Sequence, residues 1–99
     1  MPVYRLIRFE VRPAARVDAE RALHDHASYV RASLPKTIWT TYRTAPTRFV
    51  TYARSDDPDD GAKATHALHE VLAPFVVGAI EDTECELVTS SDLQRRHRR

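Results

Sequence analysis

Between residues 3 and 12, Val3, Ile7, Phe9 and Val11 alternate with Tyr4, Leu6 and Arg8, the two-residue period of a strand. Pro13 ends it, because proline brings no amide proton to a ladder. From about 15 to 34 the apolar positions change to a helical period. Ala19, Ala22, Leu23, His26, Ala27, Val30 and Leu34 share one stripe, Asp18, Arg21, Asp25 and Arg31 lie off it, and Pro35 closes the segment. Residues 37–43 and 48–54 are rich in β-branched and aromatic side chains around the turn chemistry of 44–47, which predicts a hairpin. If Arg43 faces Arg48, one side of that hairpin carries Ile38, Thr40, Tyr42, Phe49, Thr51 and Ala53, and the other Trp39, Thr41, Val50 and Tyr52. The acidic connector 55–61 suits the start of a second helix, expected from about 60 to 77. Its inward side is Ala64, Leu68, Val71, Leu72 and Phe75, with Pro74 a kink or break and Gly78 the stop. A last strand is expected over 80–89.

The order β-α-β-β-α-β predicts an α+β ferredoxin-like plait: one antiparallel sheet with both helices on one face. The other face is left bare. With Arg43 opposite Arg48, Trp39, Val50, Tyr52 and Leu6 form an apolar patch there, so a homodimer through the open sheet face is expected.

At 99 residues the chain allows one domain, expected over 1–90, and 42% hydrophobic against 29% charged residues is ordinary globular usage. The formal net charge of +1 hides an asymmetry. Four arginines stand in the last five positions, and without them 11 basic residues face 14 acidic ones. Residues 91–99 therefore read as a basic, disordered tail on a mildly acidic body, with no basic aromatic face for nucleic acid. The longest apolar run, 71–80, is far short of the roughly 20 residues of a membrane span and holds Pro74 and Gly78. The N-terminus shows no basic cluster followed by an apolar run, and Cys85 has no partner for a disulfide, so the cytoplasm is the expected location.

The strand over 3–11 followed by Arg12-Pro13, the hairpin segments 39–43 and 49–54, and the run 72–80 together resemble the antibiotic biosynthesis monooxygenase family of dimeric α+β barrels. The similarity spans nearly the whole chain before the basic tail, and element order carries most of it. It implies a two-sheet dimer with a pocket between sheet and helices in each subunit. It also implies activities such as oxygenation of quinols or aromatic polyketides without metal or flavin, haem degradation, or isomerisation of phosphorylated sugars. Two departures bear on chemistry. Thr51 stands where the polyketide oxygenases carry Asn, and Ser55 where they carry Trp. Around Val76, where the haem-degrading branch places an axial His, the chain has only Phe75, Val76 and Val77, which disfavours haem cleavage. Either His66 or His69 matches the family's helical His.

These readings give a set of candidates. His26, at the centre of the first helix's stripe, is either a general base in the pocket or a hydrogen-bonded core histidine. His69 flanks the inward stripe of the second helix, whereas His66 points away to solvent. Tyr42, on the side expected to face the helices, is placed to hydrogen-bond a phenolic oxygen, with Thr51, Thr40, Phe49, Phe75 and Leu68 as substrate-binding neighbours. No cofactor is expected, and no metal: His24 with His26, or His66 with His69, lacks a third ligand. The expected function is cofactor-independent monooxygenation of a small quinol or polyketide-like aromatic. A non-oxidative isomerase or cyclase, or a non-catalytic small-ligand module, is the alternative.

Overall fold

The computed structural model describes residues 2–91, and the basic stretch from Arg95 onward lies outside them. Six main elements follow in the expected order: β1 (Val3–Glu10), α1 (Arg16–Ser33), β2 (Thr37–Ala45), β3 (Arg48–Ser55), α2 (Pro58–Leu72) and β4 (Glu81–Cys85), with a single 3₁₀ turn at Pro13–Ala15 before α1. The strands form one antiparallel sheet in the order β2-β3-β1-β4, the ferredoxin-like plait. Ile7, Phe9, Val11 and Phe49 from the sheet meet Ala19, Leu68 and Leu72 from the helices in the main core. A smaller cluster of Val30, Leu34 and Ala64 lies between the helices, and Trp39 packs against both. Among the described residues no helix is long and apolar enough to cross a membrane.

Each boundary has a local cause. α1 stops at Ser33 because Pro35 disfavours helical geometry at Leu34, whose amide still reaches the Val30 carbonyl at 2.8 Å. α2 starts where the Asp57 carboxylate accepts the Asp59 amide at 2.9 Å, with Pro58 pre-set for the first turn. It ends at Leu72, five residues before the expected 77, because a helix through Pro74 would drive the proline ring into the Glu70 carbonyl. The chain then crosses the edge of β1, where the Arg12 amide donates to the Phe75 carbonyl and the Val77 amide to the Glu10 carbonyl. Gly78, at φ +74°, makes the turn into β4. β4 is shorter than the expected 80–89, since pairing runs from Arg8↔Glu81 to Tyr4↔Cys85 and β1 itself begins at Val3.

The hairpin register corrects the sequence reading. Arg43 pairs with Phe49 rather than Arg48, and a bulge at Thr44 separates that pair from Ala45↔Arg48. A one-residue slip sends every side chain of a strand to the opposite face. Phe49, Thr51 and Ala53 face the helices as expected. On β2, however, it is Trp39, Thr41 and Arg43 that join them, while Ile38, Thr40 and Tyr42 turn to the open face. Trp39 is therefore not part of the outer patch, and Tyr42 and Thr40 do not look toward the helices. The outer patch survives with other members: Ile38, Tyr42 and Tyr52 are 62%, 55% and 54% exposed around a buried Val50, the two tyrosine rings meet edge to face, and Arg54 stacks over Tyr4.

Candidate active site

Glu20, Leu23, His24 and Ala27 stand at i, i+3, i+4 and i+7 on α1, so they share one strip of the helix. Alternation on β2 brings Trp39, Thr41 and Arg43 beneath that strip, and β3 adds Phe49, whose ring stacks on Phe9 at 5.5 Å. These eight residues line an open cleft of about 220 Å³ at the β2 edge of the sheet. Leu23, Ala27, Trp39 and Phe49 make its apolar walls. Its polar groups are the His24 imidazole, the Thr41 hydroxyl, and an ion pair at the rim. There Glu20 takes the Arg43 guanidinium at 3.3 Å with one oxygen and that of Arg16 at 3.2 Å with the other. Both pairs are partly exposed, so they orient Arg43 more than they stabilise the fold.

Thr51 is fully buried, and its hydroxyl lies 2.7 Å from that of Thr41. Thr51 does not line the cleft itself. It acts on it through Thr41: if Thr51 donates to the Thr41 oxygen, the Thr41 hydrogen is left to donate into the cleft. The Trp39 indole Nε1–H is buried and has no hydrogen-bond partner. A buried donor without a partner is uncommon and costly, and this one is closed off from the cleft that the rest of its side chain helps to line.

Of the other sequence candidates, His26 sits in the core between the helices, 3% exposed. Its Nε2–H donates to the Ala64 carbonyl at 2.8 Å, which fixes the tautomer and leaves Nδ1 as an acceptor without a partner. Burial lowers its pKa below the ordinary value, opposed in part by the bond to Ala64, so the ring is held neutral. It packs edge to face on Trp39, with centroids 4.9 Å apart. His69 lies elsewhere, its Nε2 3.8 Å from Asp82, which also takes Arg5 at 2.9 Å. His66 is a surface residue 2.7 Å from Glu70. Leu68 is fully buried in the main core and Phe75 packs against it, neither of them lining the cleft. Among the described residues no three His, Cys, Asp or Glu side chains are grouped to hold a metal.

The cleft thus gathers Phe49 from the expected set, Thr51 at one remove, and four polar residues the sequence reading had not placed: Glu20, His24, Thr41 and Arg43. The signal for them was present. The spacing 20, 23, 24, 27 is helical, and the other hairpin parity puts Thr41 and Arg43 under it.

This architecture is that of the structures described as antibiotic biosynthesis monooxygenases, the family the sequence resembles. The chain is similar to a candidate antibiotic biosynthesis monooxygenase from Caulobacter crescentus CB15, with 18% identity over 89% of this chain and 91% of that one and a TM-score of 0.76. It is also similar to Rv0793 from Mycobacterium tuberculosis, with 17% identity over 92% and 99% and a TM-score of 0.75. A third similar structure is SnoaB, a cofactor-independent oxygenase from Streptomyces nogalater, with 18% identity over 90% and 95% and a TM-score of 0.70. At these identities what is shared is the fold. No family model matches the sequence, and no curated protein matches it either.

Proposed function

We propose that the protein is a cofactor-independent monooxygenase that oxidises a small hydroxylated aromatic in the cleft between α1 and β2, as a homodimer closed over the open sheet face. The fold shared with SnoaB supports the reaction type. The observation that carries the reading is the make-up of the cleft, in which the His24 imidazole and the Thr41 hydroxyl stand beside apolar walls from Leu23, Trp39 and Phe49. A phenolic ring suits that combination of a base, a hydroxyl donor and apolar walls.

In this reading the His24 imidazole takes the hydroxyl proton of a 1-naphthol-like substrate, and the Thr41 hydroxyl donates to the oxyanion that forms. Leu23, Trp39 and Phe49 give the aromatic ring an apolar surface to pack against. The anion passes one electron to O₂, and the resulting radical pair combines at the ring carbon para to the oxygen to give a hydroperoxide. Loss of water then leaves a carbonyl. One oxygen atom enters the quinone, the other departs as H₂O, and the substrate supplies both hydrogens. His26 touches none of the reacting atoms and serves by holding Trp39. Exposed Ile38, Tyr42 and Tyr52 on the uncovered face support the homodimer, since identical patches can bury one another about a two-fold axis.

The test is oxygen uptake with 1-naphthol and substituted hydroquinones, with product identified by mass spectrometry. One O₂ consumed per naphthoquinone, with the rate falling about 100-fold in His24→Ala, is expected from loss of a general base. Uptake no faster than in His24→Ala or Thr41→Val overturns the proposal, and product formed equally fast without oxygen points to acid–base chemistry alone.

A further inference from the structure

The rim of the cleft carries more positive than negative charge. Among the residues that line the cleft and the open depression beside it at the hairpin turn, the charged ones are Arg16, Arg43 and Glu20. Arg43 alone lines both spaces. Its place follows from the strand. Residue 43 is two positions beyond Thr41, so both side chains leave β2 on the helix side, about 6.6 Å apart along the chain. Glu20 is shared between two partners: one carboxylate oxygen takes Arg16 Nη1 at 3.2 Å and the other takes Arg43 Nη1 at 3.3 Å. One carboxylate between two guanidinium groups leaves a positive charge without a counterpart. Asp18, on the same helix, does not supply it, since it faces Arg21 at 3.8 Å.

A guanidinium presents its N–H donors in a planar fork, and two adjacent nitrogens match the two oxygens of a carboxylate. Glu20 engages Arg43 through Nη1, and among the described residues no partner takes Nε or Nη2, the edge left over. With 48% of its side chain exposed and Glu20 holding one nitrogen, Arg43 is both oriented and open to a ligand. We propose that Arg43 binds an anionic substituent on the aromatic substrate, so that the molecule the cleft selects is a hydroxylated aryl carboxylate rather than a neutral phenol. The ring lies on Leu23, Trp39 and Phe49 with its hydroxyl toward His24 and Thr41, and the carboxylate reaches the rim. Because the cleft is open, selection comes from charge at one end of the ligand and not from the space enclosed. This rests on the reading of the cleft as a site for a hydroxylated aromatic and adds to it the second polar group that such a substrate carries.

The experiment measures binding rather than turnover. The probes are 5-hydroxy-1-naphthoate, with its carboxylate on the ring away from the hydroxyl, and 5-hydroxy-1-naphthamide, which has nearly the same shape and no charge. Both are titrated calorimetrically at about pH 7, where the carboxylate is ionised and the hydroxyl is not. The chains are the wild type, Arg43→Gln and Arg21→Gln, each checked for folding by circular dichroism. Arg21 does not line the cleft, so Arg21→Gln makes the same change in net charge without touching the site. The wild-type chain is expected to bind the carboxylate about fivefold more tightly than the amide, the size of advantage a half-exposed charge pair gives, and to lose most of it between about 50 and 500 mM salt. Arg43→Gln is expected to bind the two probes equally and the amide as tightly as the wild type does. Arg21→Gln keeps the wild-type preference. A preference that survives in a folded Arg43→Gln chain, or falls equally in Arg21→Gln, overturns the assignment to Arg43. Equal binding of the two probes by the wild-type chain overturns the anionic substituent, even where neither variant folds, and leaves the cleft as a site for neutral phenols. No binding of either probe by any of the three chains overturns the hydroxylated-aromatic reading itself, and with it the proposed reaction.

Discussion

Replacing His26 by Phe isolates what a buried, neutral imidazole contributes to this fold. The substitution keeps a ring against the edge of Trp39 and removes two things: the 2.8 Å hydrogen bond to the Ala64 carbonyl and a group that can take a proton. Ala64 lies inside α2, so its carbonyl keeps its helical role, and the loss is that of one hydrogen bond rather than an orphaned acceptor. That is about 1 kcal/mol, or roughly 4–8 °C in a domain of this size. The pH dependence has the opposite sign. Burial lowers the folded pKa of His26 below the ordinary 6.5 that holds in the unfolded chain. As pH falls below 6.5 the unfolded chain takes up a proton that the folded chain refuses. The contribution of His26 is thus complete above 6.5 and is lost as pH falls toward and through the folded value, at no more than about 1.4 kcal/mol per pH unit. Urea denaturation of both chains at one protein concentration, from about pH 8 down to about pH 5, reads the difference. His26→Phe is expected to be less stable at the upper end and to close or reverse the gap at the lower end. His24, His66 and His69 are common to both chains and cancel in the difference. Parallel curves would refute the claim that His26 is buried neutral.

Three further outcomes are expected. Asp57→Ala removes the carboxylate that caps α2 and lowers stability by about 1 kcal/mol in thermal denaturation, with an unchanged value speaking against the cap. Thr51→Val breaks the Thr41–Thr51 hydroxyl pair; stability falls by about 1 kcal/mol, and 1-naphthol turnover falls although residue 51 touches no substrate. Tyr52→Glu places charge on the open sheet face and converts the proposed dimer to a monomer in light scattering, while the helix-side cleft still binds 1-naphthol.

The element order and the sheet were legible because each rests on a signal several residues long: alternation in β1 and β3, the helical stripe ending at Leu34, and proline at 13 and 35. What the sequence hid were features decided by one residue. The expected second helix overran because its inward stripe continues through Phe75, whereas the steric veto of Pro74 acts on the single carbonyl of Glu70. The parity of β2 was hidden in the same way. Residues 37–43 alternate with apolar or aromatic groups on both sides, so periodicity allowed either face inward, and the bulge at Thr44 settled the choice. His26 was legible as an inward residue, but its partner was not, since Ala64 lies 38 positions away and offers only a main-chain oxygen.

That one-residue difference matters more for chemistry than for assembly. The open face loses Trp39 and gains Tyr42 and Ile38, an exchange of one large apolar group for two, so the reason for covering it stands. The helix side changes in kind. Tyr42 would have offered the site a phenol, whereas the observed register brings in an apolar wall from Trp39 and the hydroxyl of Thr41. In the proposed reaction the Thr41 hydroxyl donates to the oxyanion as it forms. A reaction beginning with deprotonation requires a contact of that kind, because only contacts that strengthen as charge develops accelerate the step. The Thr41 hydroxyl turns to suit either form, and where Thr51 donates to it the Thr41 hydrogen is left for the cleft. On the proposed reading, anion stabilisation comes from Thr41 on β2, although Thr51 and Ser55 on β3 stand where the oxygenases the sequence resembles carry Asn and Trp.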